Sequence, residues 1–206
     1  MPAATVVDSV RTVADYFKKK VLILGDGAVG KTSLIRRYVN DTFTDEYVET
    51  IGARVSNKQV TMHGPDGKRR VGVALWDIMG HELLGRLRQS YLMGADGAVL
   101  VVSVSDKKSA DSLASWTRLL DQTVGKVPVV AVANKMDVRE RRVKPRELEA
   151  LAAESGCEVV GASARTGDNV GRAFDSIVRM AASGTHASAR DRDKVASDDG
   201  SERHKG

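Results

Sequence analysis

Cysteine and aromatic residues are scarce in this chain of 206 residues. The one cysteine excludes an internal disulfide and is typical of a reducing compartment, so we expect a cytoplasmic location. Only nine residues are aromatic (two Trp, four Tyr and three Phe), which is too few for a base-stacking surface. We therefore expect no nucleic-acid partner, although 32 Lys and Arg against 27 Asp and Glu give a net charge of +5.

Long apolar runs and targeting signals are also missing. No run approaches the roughly 18 apolar residues that a membrane helix needs. The start of the chain lacks the pattern of a secretory signal, and Pro2 in place of glycine excludes myristoylation. With its only cysteine at Cys157, the chain is expected to carry no prenyl anchor. At 42% hydrophobic residues, wholesale disorder is excluded too.

The two ends differ from the middle of the chain. Residues 1–17 are predicted to be an N-terminal extension whose apolar residues have helical spacing before Lys18–Lys20: Val6, Val10, Val13 and Phe17. That spacing allows an amphipathic helix on an anionic membrane, with a short helix on the domain or a frayed arm as alternatives. Residues 183–206 contain one Val and no Leu, Ile or aromatic residue, so they are predicted to be a disordered charged tail.

Strand and helix patterns alternate between residues 18 and 182, which we predict to be one domain. The predicted strands are Val21–Leu24, Arg54–Met62, Arg70–Trp76, Ala98–Val104, Val127–Ala133 and Glu158–Gly161. Helices are predicted around Leu34–Tyr38 and over Ser109–Leu120, Pro145–Glu154 and Val170–Ala181. The alternation predicts an α/β fold, with a mostly parallel six-stranded sheet, one antiparallel strand from a hairpin, and helices on both faces. Ligands of such sheets bind at the carboxyl ends of the strands.

A phosphate-binding motif follows the first predicted strand. Residues Gly25–Thr32 (GDGAVGKT) match G-x-x-x-x-G-K-[ST] between a strand and a helix, where backbone N–H groups cradle phosphates. Lys31 supplies a charge to the terminal phosphates, and the Thr32 hydroxyl can ligate Mg²⁺. The motif predicts a bound nucleoside triphosphate but does not indicate which base it carries. The residues predicted to hold it are Gly25, Gly27, Ala28, Val29, Gly30, Lys31, Thr32 and Ser33.

A base-reading motif, Asn134-Lys135-Met136-Asp137, follows the predicted strand Val127–Ala133. A carboxylate in this position can accept hydrogen bonds from N1–H and the 2-amino group of guanine, and adenine has no such donor pair. A buried carboxylate left without donors is costly, so the wrong base is rejected. The sequence therefore predicts guanine selectivity through Asp137, with Asn134 and Lys135 also in contact with the nucleotide.

In this order the motifs resemble those of a Ras-superfamily small GTPase of the Ras/Rab type, over about residues 18–182. Phe43 stands where that family places an aromatic ring over guanine. Thr50-Ile51-Gly52 resembles the first switch, and Trp76-Asp77 followed by Gly80 resembles the second. The segment from Ser163 to Gly167 (SARTG) resembles the last base-contacting loop, which is usually S-A-K.

The resemblance implies a single P-loop G domain that binds GTP or GDP with Mg²⁺, and a role for each matching residue. The implied metal ligands are Thr32, Thr50 and Asp77. The implied catalytic residues are Lys31, Thr50, Gly80 and His81, of which Thr50 and Gly80 also contact the γ-phosphate through their N–H groups. The implied donors to guanine O6 are the backbone groups of Ala164 and its neighbours Ser163 and Arg165.

The second switch departs from the family pattern D-T-A-G-Q-E. His81 replaces the glutamine that orients the attacking water, as in the Sar branch and the translational GTPases, and Ile78 and Met79 replace the small residues before Gly80. No arginine precedes Thr50, so no arginine finger in cis is expected. We therefore expect slow hydrolysis that a partner protein stimulates.

Three functions remain open on the sequence alone. The first is a GTP-hydrolysing switch with activating, exchange and effector proteins that engage the two switches. The second is a non-hydrolysing guanine-nucleotide-binding module that serves as a scaffold. The third is an ATP-dependent P-loop enzyme such as a kinase, which Asp137 disfavours.

Overall fold

The computed structural model describes residues 17–46, 50, 52–64, 67–78, 86–154 and 156–183. The strands are β1 (Phe17–Leu24), β2 (Ala53–Gly64), β3 (Gly67–Ile78), β4 (Gly97–Ser103), β5 (Val129–Asn134) and β6 (Glu158–Gly161). The helices are α1 (Lys31–Asn40), α2 (Arg86–Leu92), α3 (Lys107–Asp111), α4 (Leu113–Val124), α5 (Pro145–Glu154) and α6 (Val170–Ser183). Among the described residues, no helix combines the length and the apolarity needed to span a bilayer.

The six strands form one sheet in the order β2-β3-β1-β4-β5-β6. Strand β2 runs antiparallel to β3, and the other neighbouring strands pair in parallel. Helices α1 and α6 pack on one face, where Tyr38 stacks on Phe174 with ring centroids 4.4 Å apart. Residues of α4 and α5 pack on the other face, around Trp116 and Leu148. The predicted mostly parallel α/β sheet is therefore confirmed.

The start of the domain differs from the prediction. Strand β1 already begins at Phe17, which pairs with Val71, so Phe17 is not the fourth apolar residue of a helix. Lys18–Lys20 continue the same strand, and the Lys20 ammonium lies 4.0 Å from the ring centroid of Trp76. The prediction was wrong here because a few apolar residues at helical spacing do not exclude a strand. Residues 1–16 and the tail from residue 184 lie outside the described residues.

The predicted helix Ser109–Leu120 is two helices in the structure, α3 and α4, which are separated at Ser112. The Ser112 hydroxyl lies 3.0 Å from the Lys108 carbonyl and 2.8 Å from Asp26 Oδ2 in the loop after β1. A serine side chain that bonds to nearby backbone competes with the regular helical pattern, which accounts for the break. Helix α2 was not predicted at all.

Candidate functional site

A cavity of about 460 Å³ opens at the edge of the sheet where β1, β5 and β6 end. Its volume is in the range of small-molecule sites. Thirteen residues predicted to contact the nucleotide line it: Gly27, Ala28, Gly30, Lys31, Thr32, Ser33, Phe43, Thr50, Asn134, Lys135, Asp137, Ala164 and Arg165. Five further lining residues belong to none of the predicted motifs: Arg36, Thr44, Asp45, Glu46 and Val138.

At two positions of the first loop (Gly25–Thr32), neighbouring atoms lie so close to the backbone that only glycine fits. A Cβ on Gly25 would lie 2.2 Å from the Val101 carbonyl oxygen of β4, and its φ of +140° is disfavoured for other residues. A Cβ on Gly30 would lie 2.3 Å from Asn134 Nδ2. These residues therefore shape the loop by letting β4 and the Asn134 side chain approach its backbone.

The Lys31 ammonium is buried inside this loop, with the residue only 8% exposed. It donates to the carbonyl oxygens of Gly25 and Asp26 at 2.8 and 2.7 Å. Burial lowers the pKa of Lys31, and the negative charges of Asp77 and Asp26 oppose that shift. The hydrogen-bond partners of this cation are neutral carbonyl groups, which compensate its charge only in part. The loop is therefore suited to bind an anion such as phosphate.

Three side-chain oxygens meet at the start of α1. Thr32 Oγ1 lies 2.5 Å from Asp77 Oδ2 and 3.0 Å from Thr50 Oγ1, and Thr50 Oγ1 lies 3.4 Å from Asp77 Oδ2. Asp77 is 2% exposed, and burial raises the pKa of its carboxyl, against the hydrogen bond from Thr32 and the charge of Lys31. Its second oxygen, Oδ1, is buried and has no hydrogen-bond partner among the described residues. This arrangement of hard oxygen ligands fits a Mg²⁺ ion.

The residues present limit how such an ion could be held. Among the described residues, no group of three or more His, Cys, Asp or Glu could hold a metal. One carboxylate and two hydroxyls leave about half of the octahedral positions around Mg²⁺ to other oxygen ligands. Because Mg²⁺ keeps waters and shares substrate phosphates, the site suits a metal that arrives with a nucleotide.

Asn134 links the loops on both sides of the cavity, and it is 1% exposed. Its Nδ2 donates to the Val29 carbonyl oxygen at 2.9 Å, and its Oδ1 accepts from the Ala164 N–H at 3.1 Å. Both ends of the amide are therefore used within the protein, and Asn134, which lines the cavity, joins the two loops there. The N–H of Ala164, predicted to meet guanine O6, is directed at this side chain instead.

The base-reading aspartate lies at the rim of the cavity. Asp137 Oδ1 accepts from the Ser163 hydroxyl at 2.6 Å, which fixes the carboxylate between the loops after β5 and β6. Lys135 donates through Nζ to the Ala28 carbonyl at 2.8 Å, and both residues have positive φ, at 67° and 58°. Strained backbone of this kind is typical of functional loops.

The segment after α1 forms part of the cavity wall, and in it only Phe43 was predicted from the sequence. Phe43 lines the cavity and also packs against the core on the α1–α6 face. Asp45 approaches Arg165 across the cavity mouth, with Oδ2 and Nη2 3.8 Å apart. Arg37 donates to the carbonyls of Ala164 and Arg165 at 3.0 and 2.7 Å and so attaches that loop to α1.

The other predicted site residues fall into two groups. Four of them are not among the lining residues, but each contacts another part of the site as described above: Gly25, Val29, Asp77 and Ser163. Gly80 and His81, predicted to be catalytic, lie outside the described residues, as does Met79. Ile78, the last residue of β3, is buried, with 2% of its surface exposed.

Comparisons with known proteins agree with this geometry. The Ras family profile matches residues 20–183. Ras-related protein Rab-3B of Homo sapiens is 35% identical over 161 residues, which cover 77% of this chain and 72% of that protein. Ras-related protein SEC4 of Saccharomyces cerevisiae is 32% identical, over 78% of this chain and 74% of that protein. GTP-binding protein ypt2 of Schizosaccharomyces pombe is 33% identical, over 78% and 79% respectively. The chain therefore belongs to the Ras family and is a Rab-like, GTP-binding small GTPase.

Proposed function

We propose that this chain binds Mg·GTP in the 460 Å³ cavity, hydrolyses it slowly to GDP, and signals the change through two switch segments. The observation that carries the proposal is the placement of three functions on one rim of the sheet. Lys31 supplies the buried cation, Thr32 with Thr50 and Asp77 supplies the oxygen cluster, and Asp137 supplies the carboxylate.

The triphosphate lies along the first loop in this proposal. The backbone N–H groups of residues 27–32 and the start of α1 give partial positive charge to the phosphates. Lys31 exchanges its two carbonyl acceptors for phosphate oxygens, which bear full charge and accept stronger hydrogen bonds. The buried ammonium therefore gains most of its compensation only when the nucleotide is present.

Mg²⁺ would be held by Thr32, Thr50 and Asp77, where it neutralises charge on the β- and γ-phosphates. Oδ1 of Asp77, which has no hydrogen-bond partner among the described residues, is a further acceptor that could orient water next to the ion. Asp77 also keeps the Thr32 and Thr50 hydroxyls close together. Loss of the γ-phosphate removes one anchor of Thr50, and the first switch then relaxes.

Base selection rests on Asp137 in this proposal. With Oδ1 fixed by Ser163, the carboxylate faces the cavity in one orientation and accepts from N1–H and the 2-amino group of guanine. Phe43 also lines the cavity and would contact the base. Donation from Ala164 to guanine O6 requires that its N–H be shared with Asn134.

Hydrolysis is assigned to Lys31, Thr50, Gly80 and His81, with His81 in place of the usual water-orienting glutamine. A histidine has one acceptor and one donor on opposite ring edges when it is neutral, so the geometry differs from that of an amide. Without an arginine before Thr50, the chain lacks a charge that contributes roughly 10³–10⁵ in rate in related systems. We propose that a GTPase-activating protein supplies it, and that exchange and effector proteins also bind the switches. The single cysteine supports action in the cytoplasm.

The test of nucleotide selection is Asp137→Asn. Removing the charged acceptor costs about 1.5–3 kcal/mol for each of two hydrogen bonds, which corresponds to a loss of roughly 10²- to 10⁴-fold in GTP affinity. Asp168→Asn is the matched control, because Asp168 accepts from Thr166 in a neighbouring loop and does not line the cavity. Equal GTP affinity in Asp137→Asn and the wild type would contradict guanine readout by this residue.

The test of hydrolysis is single-turnover phosphate release from bound GTP. We expect a rate far below about 1 s⁻¹ without a partner, and a further loss of at least tenfold in His81→Ala. His63→Ala, at an exposed position on β2, is the control and should leave the rate unchanged. No phosphate release under any condition would instead support the non-hydrolysing scaffold.

A further inference from the structure

Asp26, the second residue of the phosphate loop, has its carboxylate held by a neighbouring helix. The indole Nε1–H of Trp116 on α4 donates to Oδ1 at 2.8 Å, and the hydroxyl of Ser112, directly before α4, donates to Oδ2 at 2.8 Å. Trp116 is 4% exposed, so its N–H is not shared with bulk water. The Ser112 hydroxyl also lies 3.0 Å from the Lys108 carbonyl oxygen, so its single proton is divided between that group and Asp26.

The main chain of the same residue contacts the phosphate-binding cation. The Asp26 carbonyl oxygen accepts from Lys31 Nζ at 2.7 Å. The negative charge of Asp26 already acts on the Lys31 ammonium, whose pKa it raises against the effect of burial, and a side chain turned towards Lys31 would act on it more strongly. The attraction between opposite charges is strong there because Lys31 is buried.

A carboxylate beside Lys31 would oppose nucleotide binding in two ways. It would occupy the ammonium that the phosphates need, and it would place a like charge beside them. The loop therefore contains an anionic side chain that is compatible with its function only while it points away. The two donors on the α4 side hold it in that direction.

We propose that Trp116 and Ser112 are positioning residues that hold the Asp26 carboxylate away from Lys31 and thereby keep the phosphate site open. This inference rests on the proposed nucleotide binding. If Trp116 and Ser112 only anchored the loop to α4, their loss would act whether or not the carboxylate was present. In this proposal the Asp26 carboxylate itself opposes nucleotide binding once its donors are lost. Removing that carboxylate should then cancel the effect of losing its donors.

The experiment compares four forms of the full chain: wild type, Trp116→Phe, Asp26→Ala, and the double variant. The rate of release of a fluorescent GDP is measured with excess Mg²⁺. We expect Trp116→Phe to release GDP about 10-fold faster, because a hydrogen bond to a charged acceptor is lost. In the Asp26→Ala background, adding Trp116→Phe should change the release rate by less than about threefold. Urea unfolding of each form separates this effect from a loss of stability.

A second pair, Ser112→Ala alone and with Asp26→Ala, repeats the test without altering the core, and a smaller effect of about threefold is expected. Thr123→Val is the matched control on α4, since its hydroxyl donates only to the Leu119 carbonyl, and it should leave release unchanged. A tenfold effect of Trp116→Phe that persists in the Asp26→Ala background overturns the inference and leaves nucleotide binding intact. A wild-type chain that binds no guanine nucleotide overturns the proposed function instead.

Discussion

Replacing Asn134 by alanine removes the side chain that joins the first loop to the loop after β6. The change leaves the Val29 carbonyl and the Ala164 N–H without their partners in the interior. Each unsatisfied buried group costs about 1–3 kcal/mol, so we expect the free energy of unfolding to fall by about 2–6 kcal/mol. That loss is a large fraction of the roughly 5–15 kcal/mol that stabilises a typical domain.

Urea unfolding of the nucleotide-free protein measures this loss directly. Asn57→Ala is the control, because Asn57 is an exposed asparagine of β2, and a surface change of this kind should stay within about 0.5 kcal/mol. Asn134→Asp keeps an acceptor for Ala164 but turns a carboxylate oxygen towards the Val29 carbonyl, so it should destabilise at least as much as alanine. A loss below about 1 kcal/mol in Asn134→Ala would refute the assignment of this side chain as a link between the loops.

Two further predictions concern the metal cluster and the first loop. Asp77→Asn removes the carboxylate that accepts from Thr32, so added Mg²⁺ should no longer slow GDP release, and the loss should be on the order of 10–100-fold. Persistence of the full Mg²⁺ effect would contradict the proposed ligand set. Gly25→Ala places a Cβ 2.2 Å from the Val101 carbonyl at a φ of +140°, and we expect about 3 kcal/mol or more of destabilisation in urea. Gly27→Ala, whose Cβ would meet nothing within 4 Å, should stay close to the wild type, and equal stability of the two variants would show that the close contact is unimportant.

Sequence motifs predicted those parts of the site that a short segment determines by itself. The loop from Gly25 to Thr32 needs its glycines and lysine at fixed spacing, and the structure places them as expected around Lys31. The parallel sheet also followed from alternating apolar strands and helices, each of which leaves a local pattern. Such features depend on neighbours within a few residues, and a single sequence contains that information.

Contacts between distant segments were not predictable in the same way. Asn134 belongs to a recognised motif, yet its two hydrogen bonds reach residues 105 and 30 positions away, and no local pattern specifies them. The Ser112 hydroxyl at the break before α4 also contacts Asp26, 86 positions away. Arg36 of α1 and Asp45 both line the cavity, although neither belongs to a recognised motif.

Calorimetric titration of nucleotide into emptied protein, with Mg²⁺ present, tests the central claim most directly. The geometry of Lys31, the oxygen cluster and Asp137 predicts one bound GTP or GDP per chain. It also predicts that ATP binds about 10⁴-fold more weakly, because adenine leaves the Asp137 carboxylate without donors. Absence of heat with guanine nucleotides, or equal affinity for ATP, would contradict the account.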